Sequence, residues 1–263
     1  MNASVCYRHA DRDAYVRCQR CDRLICPECQ TEAAVGFLCP DDAGSRVKNV
    51  NIRRLTNNGS PVTTSIVLVN IFVWLLQILP GSLVTQYLEY IPLATFIQPW
   101  RLITTAFVHD PGNILHVGLN MYTVFIFGRI LEPMLGRWRF LALYLISAIG
   151  GSVGVLLLSD PTVSVVGAST ACFGLMAAYF VMARKFGANT GQLVGLIAIN
   201  LAFGFLVPGI AWQGHLGGLI AGGLIAYVYT SKNRAIQQLI VAAIGIGLVV
   251  LPLAIAYARG YHY

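Results

Sequence analysis

Seven long apolar runs constrain this chain more than any other feature. They lie near residues 62–79, 113–131, 139–158, 165–183, 191–207, 211–229 and 236–257, each close to the length that crosses about 30 Å of hydrocarbon. In lipid, backbone N–H and C=O groups must be satisfied within a segment or within a closed barrel. The period-two alternation of barrel strands is absent, so the runs are expected to be helices. Composition agrees: 56% of residues are hydrophobic and 11% charged, and the mean hydropathy of +0.66 lies outside the balance of a water-soluble domain. The expected fold class is an all-α polytopic membrane protein, with seven spans over residues 62–257.

Charges between the runs set an orientation. Arg46, Lys48, Arg53 and Arg54 precede the first run; Arg129, Arg137, Arg139, Arg184, Lys185, Lys232 and Arg234 occupy the second, fourth and sixth connections. The other side has only Arg101 and Arg259. The positive-inside rule then predicts a cytoplasmic N-terminus and an outer C-terminus, in an integral protein of a bacterial plasma membrane. Residues 46–61 read as a basic juxtamembrane linker drawn to anionic headgroups of the bilayer.

Residues 1–45 read as a separate module. Six of the seven cysteines fall within residues 6–39, and in a reducing compartment that density argues for metal over disulfides. Cys6/His9, Cys18/Cys21, Cys26/Cys29 and Cys39/Asp42 are each separated by two residues, the spacing that lets both side chains of a turn reach one ion. Only four residues separate Cys21 from Cys26, so alternate pairs are expected to share metals in a cross-brace. Cys6, His9, Cys26 and Cys29 would hold one structural zinc, and Cys18, Cys21, Cys39 and Asp42 a second, with Asp41 as the alternative last ligand. The pattern resembles B-box zinc fingers. Arg8, Arg12, Arg17, Arg20 and Arg23 offer a face to acidic lipid or a cytoplasmic protein partner, or simply to solvent; no nucleic-acid partner is expected.

Polar residues inside the runs point to chemistry. Ser169 sits among small residues in GASTACFGL, and His215 opens GHLGGLIAGG. A serine in a membrane helix ordinarily bonds the carbonyl one turn back, but here runs two, four and six share a direction and bring His116, Asn120, Ser169 and His215 to one leaflet. A helical start at Val165 would put Ser169 roughly 6 Å below the boundary. Small residues at Gly167, Ala171, Gly174 and Ala178, and the row Gly214, Gly218, Gly222, allow helix backbones to approach closely, near enough for Ser169 to meet an imidazole as nucleophile meets base. No carboxylate lies at this depth in any run, which favours a dyad; Phe173, one turn below Ser169, is either the ring that stacks on the histidine or plain core packing.

With Trp100-Arg101, His116 and Asn120 in HVGLN, Gly167–Ser169 in GxS and His215–Gly222 in HxxGxxxG, the chain resembles the rhomboid intramembrane serine proteases over about residues 62–230. The resemblance implies six transmembrane helices plus one C-terminal helix. It also implies a Ser169 nucleophile, a His215 base, and an oxyanion site formed by His116, Asn120 and the Ser169 N–H, acting on transmembrane protein substrates without a catalytic cofactor. One position departs from the family pattern: Thr170 follows the serine where glycine is usual. Either its branched Cβ narrows the oxyanion site or the local backbone has adapted to it. The alternatives are an inactive rhomboid-like protein that binds and escorts membrane clients, and a small transporter. The first should have lost its serine or histidine, and the second should show paired intramembrane charges; neither feature is present.

Overall fold

The computed structural model describes residues 5–32, 36–44 and 59–261, and the chain divides into two compact units, Met1–Asn57 and Asn58–Tyr263. Arg46, Lys48, Arg53 and Arg54 of the expected linker lie outside the described residues.

In the first unit, β1 (Val16–Arg17) pairs antiparallel with β2 (Leu24–Ile25), and β3 (Thr31–Glu32) with β4 (Phe37–Leu38); α1 (Pro40–Gly44) follows. Asp22 adopts a φ of 60° in the turn between β1 and β2, a conformation that aspartate tolerates better than most residues. The core consists of Cys6, Cys18, Cys26, Cys29 and Cys39 with Ala14 and Ile25. Two fully buried apolar residues that are not cysteines cannot hold a unit of this size together. Of its arginines, Arg12 pairs with Glu28, Arg17 with Asp22 and Arg23 with Asp41, so much of the basic face is internally matched.

The second unit contains α2 (Pro61–Gln77), α3 (Val84–Leu88), α4 (Arg101–Thr104), α5 (Ile114–Leu135), α6 (Arg137–Leu158), α7 (Ser169–Lys185), α8 (Gly191–Leu206), α9 (Trp212–Tyr229) and α10 (Arg234–Ala258). Helices α2 and α5 to α10 fall on the seven apolar runs. Of these, α5, α6 and α10 are long and apolar enough to cross a membrane on length and composition alone. Large apolar side chains such as Leu68, Phe72, Leu119, Ile199 and Leu239 stand exposed on α2, α5, α8 and α10, a surface suited to lipid and not to water.

Helices α7 and α9 are made differently. They pack along each other and against α6, and on the faces where they meet they need small residues more than large apolar ones. A methyl group at Gly222 would collide with the backbone of Gly174, one at Gly218 with the Thr170 carbonyl, and one at Gly217 with the Gly150 carbonyl. Those contacts put α9 within backbone distance of both neighbours.

Glu132 locks the opposite end of the bundle. Its carboxylate is 3% exposed and accepts from Val62 N–H at 3.0 Å, Thr63 N–H at 2.7 Å and Thr63 Oγ1 at 2.7 Å. These backbone donors belong to the first turn of α2, which have no intrahelical acceptors and favour a negative charge. Glu132→Ala leaves three donors unpaired, the two of Thr63 buried, and is expected to cost about 2–4 kcal/mol; the readout is the midpoint of denaturation in detergent.

The connection between α2 and α5 is folded throughout. Arg101 is buried and donates to the carbonyls of Glu89 at 2.6 Å and Gln86 at 2.5 Å, and to the Gln98 side chain. It thus bonds loop carbonyls. Among the aromatics of this connection, Tyr87 and Trp100 are exposed, as suits a headgroup zone. Tyr90 is not: it is fully buried, with its hydroxyl 2.8 Å from Thr95 Oγ1.

Candidate functional site

Residues 165–168 are not helical. Tyr90 and Val165 form an antiparallel bridge, their backbone bonds 3.0 and 2.9 Å long. Thr105 Oγ1 donates to Val165 O at 2.7 Å, and Gly167 N–H donates to Thr105 O at 3.0 Å. Gly167 then takes a φ of 127°, open to glycine alone at little cost, and the chain turns into α7 with Ser169 as its first residue. The depth estimated from a helix beginning at Val165 therefore does not hold. Ser169 follows a non-helical segment pinned to the first connection, and its N–H sits in the helix turn that has no intrahelical acceptors.

His215 lies in the first turn of α9, 8% exposed. Its Nε2 is 2.9 Å from Ser169 Oγ. With Nε2 accepting from the hydroxyl, the ring proton resides on Nδ1, which has no protein partner among the described residues. The ring is held by stacking instead: Phe173 lies one turn below Ser169, its centroid 4.4 Å from that of His215 at 16° between planes.

His116 and Asn120 approach the same place from α5. Asn113 caps this helix by accepting from His116 N–H at 3.2 Å. His116 Nδ1 accepts from Asp110 N–H at 3.4 Å, which leaves Nε2 as the protonated donor of the neutral ring. That atom lies against Gly167: a Cβ there would come 2.7 Å from it. Asn120 Nδ2 uses one proton on His116 O at 2.9 Å and keeps a second. The Cys172 thiol, 3.5 Å from Asn120 Oδ1, holds the other end of the amide.

His109 was not singled out by sequence. It is fully buried in the first connection, accepts at Nε2 from Ala168 N–H at 3.4 Å, and meets the His116 ring edge-on at 5.1 Å. Gln77 clamps its backbone with bonds of 2.7 and 2.9 Å. Burial first, and the neighbouring His116 second, pull its pKa down to about 3, so it remains a neutral acceptor. The one signal available was a second histidine seven residues before His116.

Thr170 does not crowd the serine. Its methyl faces α6 and α9, where a Cβ on Gly151 would lie 2.5 Å from Cγ2 and one on Gly214 3.0 Å. Glycines on two neighbouring helices thus make room for the side chain that replaces the usual glycine. Thr170→Gly is expected to leave a void and a freer backbone, lowering stability by about 1–3 kcal/mol with no rise in turnover. A faster Thr170→Gly variant would show that the threonine obstructs the site after all.

In the first unit the paired ligands gather as two clusters. Cys6, His9, Cys26 and Cys29 form one, and Cys18, Cys21, Cys39 and Asp42 the other, with ligand atoms in each within 4.8 Å of one another. Asp41, the alternative ligand, is engaged by Arg23 at 3.2 Å. Hydrogen bonds from the thiols of Cys21, Cys39 and Cys18 hold the Asp42 carboxyl down to about 2, so it is ionised and able to ligate at neutral pH.

Fold and site together define a polytopic helical membrane protein with a serine and a histidine joined across two glycine-packed helices. The Rhomboid domain family matches residues 97–232, just over half of the chain. Among relatives, the rhomboid protease GluP of Bacillus subtilis is 33% identical over 216 residues, covering 78% of this chain and 41% of the relative. The mitochondrial RHOMBOID-like protein 6 of Arabidopsis thaliana is 38% identical over 146 residues, covering 52% and 46%. The rhomboid relative YdcA of Bacillus subtilis is 30% identical over 183 residues, covering 66% of this chain and 91% of its own length. The chain belongs to the rhomboid family. It spans less than half the length of the first two of these relatives.

Proposed function

We propose that the chain is an intramembrane serine endopeptidase that cleaves peptide bonds in or near transmembrane segments of other membrane proteins. The observation that carries this reading is the 2.9 Å hydrogen bond between Ser169 Oγ and His215 Nε2. In the proposed reaction Oγ attacks the scissile carbonyl carbon while its proton passes to Nε2. The negative oxygen that forms is met by His116 Nε2–H, the second N–H of Asn120 and the Ser169 N–H. As the intermediate collapses, the C–N bond breaks and His215 returns the proton to the departing amine. Water then attacks the acyl-serine by the same steps in reverse, restoring the hydroxyl. Stacking on Phe173 does the orienting that a carboxylate does in a triad.

The same reading assigns residues 62–257 to seven membrane spans. The charge distribution puts the N-terminal module and linker in the cytoplasm and the C-terminus outside, in a bacterial plasma membrane. Zinc is the proposed occupant of both clusters. Three thiols with an imidazole, and three thiols with a carboxylate, suit a tetrahedral structural site. The 3.7 Å between Cys21 and Cys39 sulfurs is close to the edge of about 3.8 Å implied by Zn–S bonds of about 2.3 Å. The module's arginine-bearing surface would serve a cytoplasmic protein partner.

The decisive experiment is labelling of the purified protein with a serine-directed fluorophosphonate. The expected result is one modified residue, Ser169, with labelling lost in His215→Ala. Absence of labelling in a folded protein that also fails to cleave would support a client-binding rhomboid without protease activity.

A further inference from the structure

The two metal clusters differ in exposure and in charge. In the first, Cys6, Cys26 and Cys29 are all buried; in the second, Cys21 is exposed. Around a divalent ion, three thiolates and a neutral imidazole leave one excess negative charge, whereas three thiolates and a carboxylate leave two. Excess charge on ligands calls for donors nearby.

Arg23 supplies them. Its Nε donates to Cys21 Sγ at 3.2 Å, and a terminal nitrogen lies 3.8 Å from Cys39 Sγ. The sulfurs of the first cluster face the His9 ring instead, Cys26 at 3.5 Å and Cys29 at 3.3 Å from Nδ1, and the nearby Arg12 is paired with Glu28. The guanidinium is fixed from two other directions, over the Tyr7 ring at 4.2 Å and against Asp41 at 3.2 Å. Adjacent acids therefore have separate tasks: Asp42 faces the thiols, and Asp41 anchors the arginine that neutralises them.

We infer that the second cluster is the exchangeable metal site of the pair and that Arg23 sets its affinity. The inference rests on the metal reading above. Exchange begins at Cys21, the ligand solvent and competing thiols can reach, and the hydrogen bond from Arg23 opposes it by stabilising the bound thiolate. The first cluster, with its three cysteines buried, keeps its ion while the second is emptied. The ligand class is a thiophilic divalent ion, and release is ligand substitution with no redox step.

The test uses the full chain in detergent, loaded with zinc and exposed to a chromogenic chelator and a cysteine-alkylating reagent, with modified residues mapped by mass spectrometry. Two zinc equivalents are expected to leave in two phases, with Cys18, Cys21 and Cys39 alkylated in the first and Cys6, Cys26 and Cys29 in the second. Arg23→Gln is expected to weaken the first-released ion about 10–100-fold and leave the other unchanged. A single phase, alkylation in the reverse order, or an Arg23→Gln chain with unaltered affinity overturns the inference. Should Arg23→Gln fail to fold, the alkylation order in the unaltered chain decides alone. A chain that takes up no zinc overturns the metal reading itself.

Discussion

Ser169→Ala and His215→Ala are each expected to reduce hydrolysis of a transmembrane substrate by about 10³–10⁶-fold, the range seen when one member of a cooperating nucleophile and base is removed. Either change leaves the other without a partner, so the double variant should be no worse than the singles. Stability should change far less. The serine is half-buried at a helix start, where alanine is a good helix former, and loss of the imidazole removes one stacked ring from Phe173. Asn120→Ala is expected to cost about 10²-fold in turnover, because His116 and the Ser169 N–H remain. Turnover and denaturation midpoint measured on the same preparations separate catalysis from folding. Full activity in Ser169→Ala would exclude the mechanism.

Metal removal is the second large effect. Chelation is expected to unfold the described residues 5–32 and 36–44, since burial of Ile25 and Ala14 supplies only about 2–4 kcal/mol, whereas structural zinc in small modules contributes on the order of 10 kcal/mol. Metal analysis should find two zinc per chain; Cys26→Ala and Cys39→Ala should each lose one, from different clusters. Amide hydrogen exchange after chelation should rise across the module and not across α5 to α9. A stoichiometry of one would defeat the cross-brace, and unchanged exchange in the module would show that something other than metal holds it. Membrane-domain turnover is expected to survive chelation.

Much of the site could be read in advance because each chemical group came with a spacing. Pairs two residues apart fix which cysteines share a turn, and the short gap between Cys21 and Cys26 separates the two clusters. The glycine row on α9 announces a close helix contact, and the contact brings His215 to Ser169. One helical turn puts Phe173 below Ser169, and the packed helices stack it on His215. These are local rules of a helix or a turn, and they survive whatever the rest of the chain does.

Other features depend on partners remote in sequence. That residues 165–168 are not helical follows from the bridge of Val165 to Tyr90 and the bonds of Thr105, none of which a hydropathy run records. His109 and Gln77 are 32 residues apart, and nothing in either neighbourhood marks the pair. Tyr87 and Tyr90 are the same residue type three positions apart, yet one is exposed and the other buried, because residue type says nothing about which side of a folded loop a ring occupies. Thr170 is the clearest case. Beside the serine in sequence, it reads as an obstruction; in space its methyl falls between α6 and α9, where Gly151 and Gly214 leave room. The sequence by itself determined the membrane class, the helices and the ligand pairs, because these follow from hydrophobicity and fixed local periods. Only the tertiary structure decided the entry to α7, the second layer of support and the fate of Thr170, because side-chain direction and nonlocal hydrogen bonds exist only once the helices are packed.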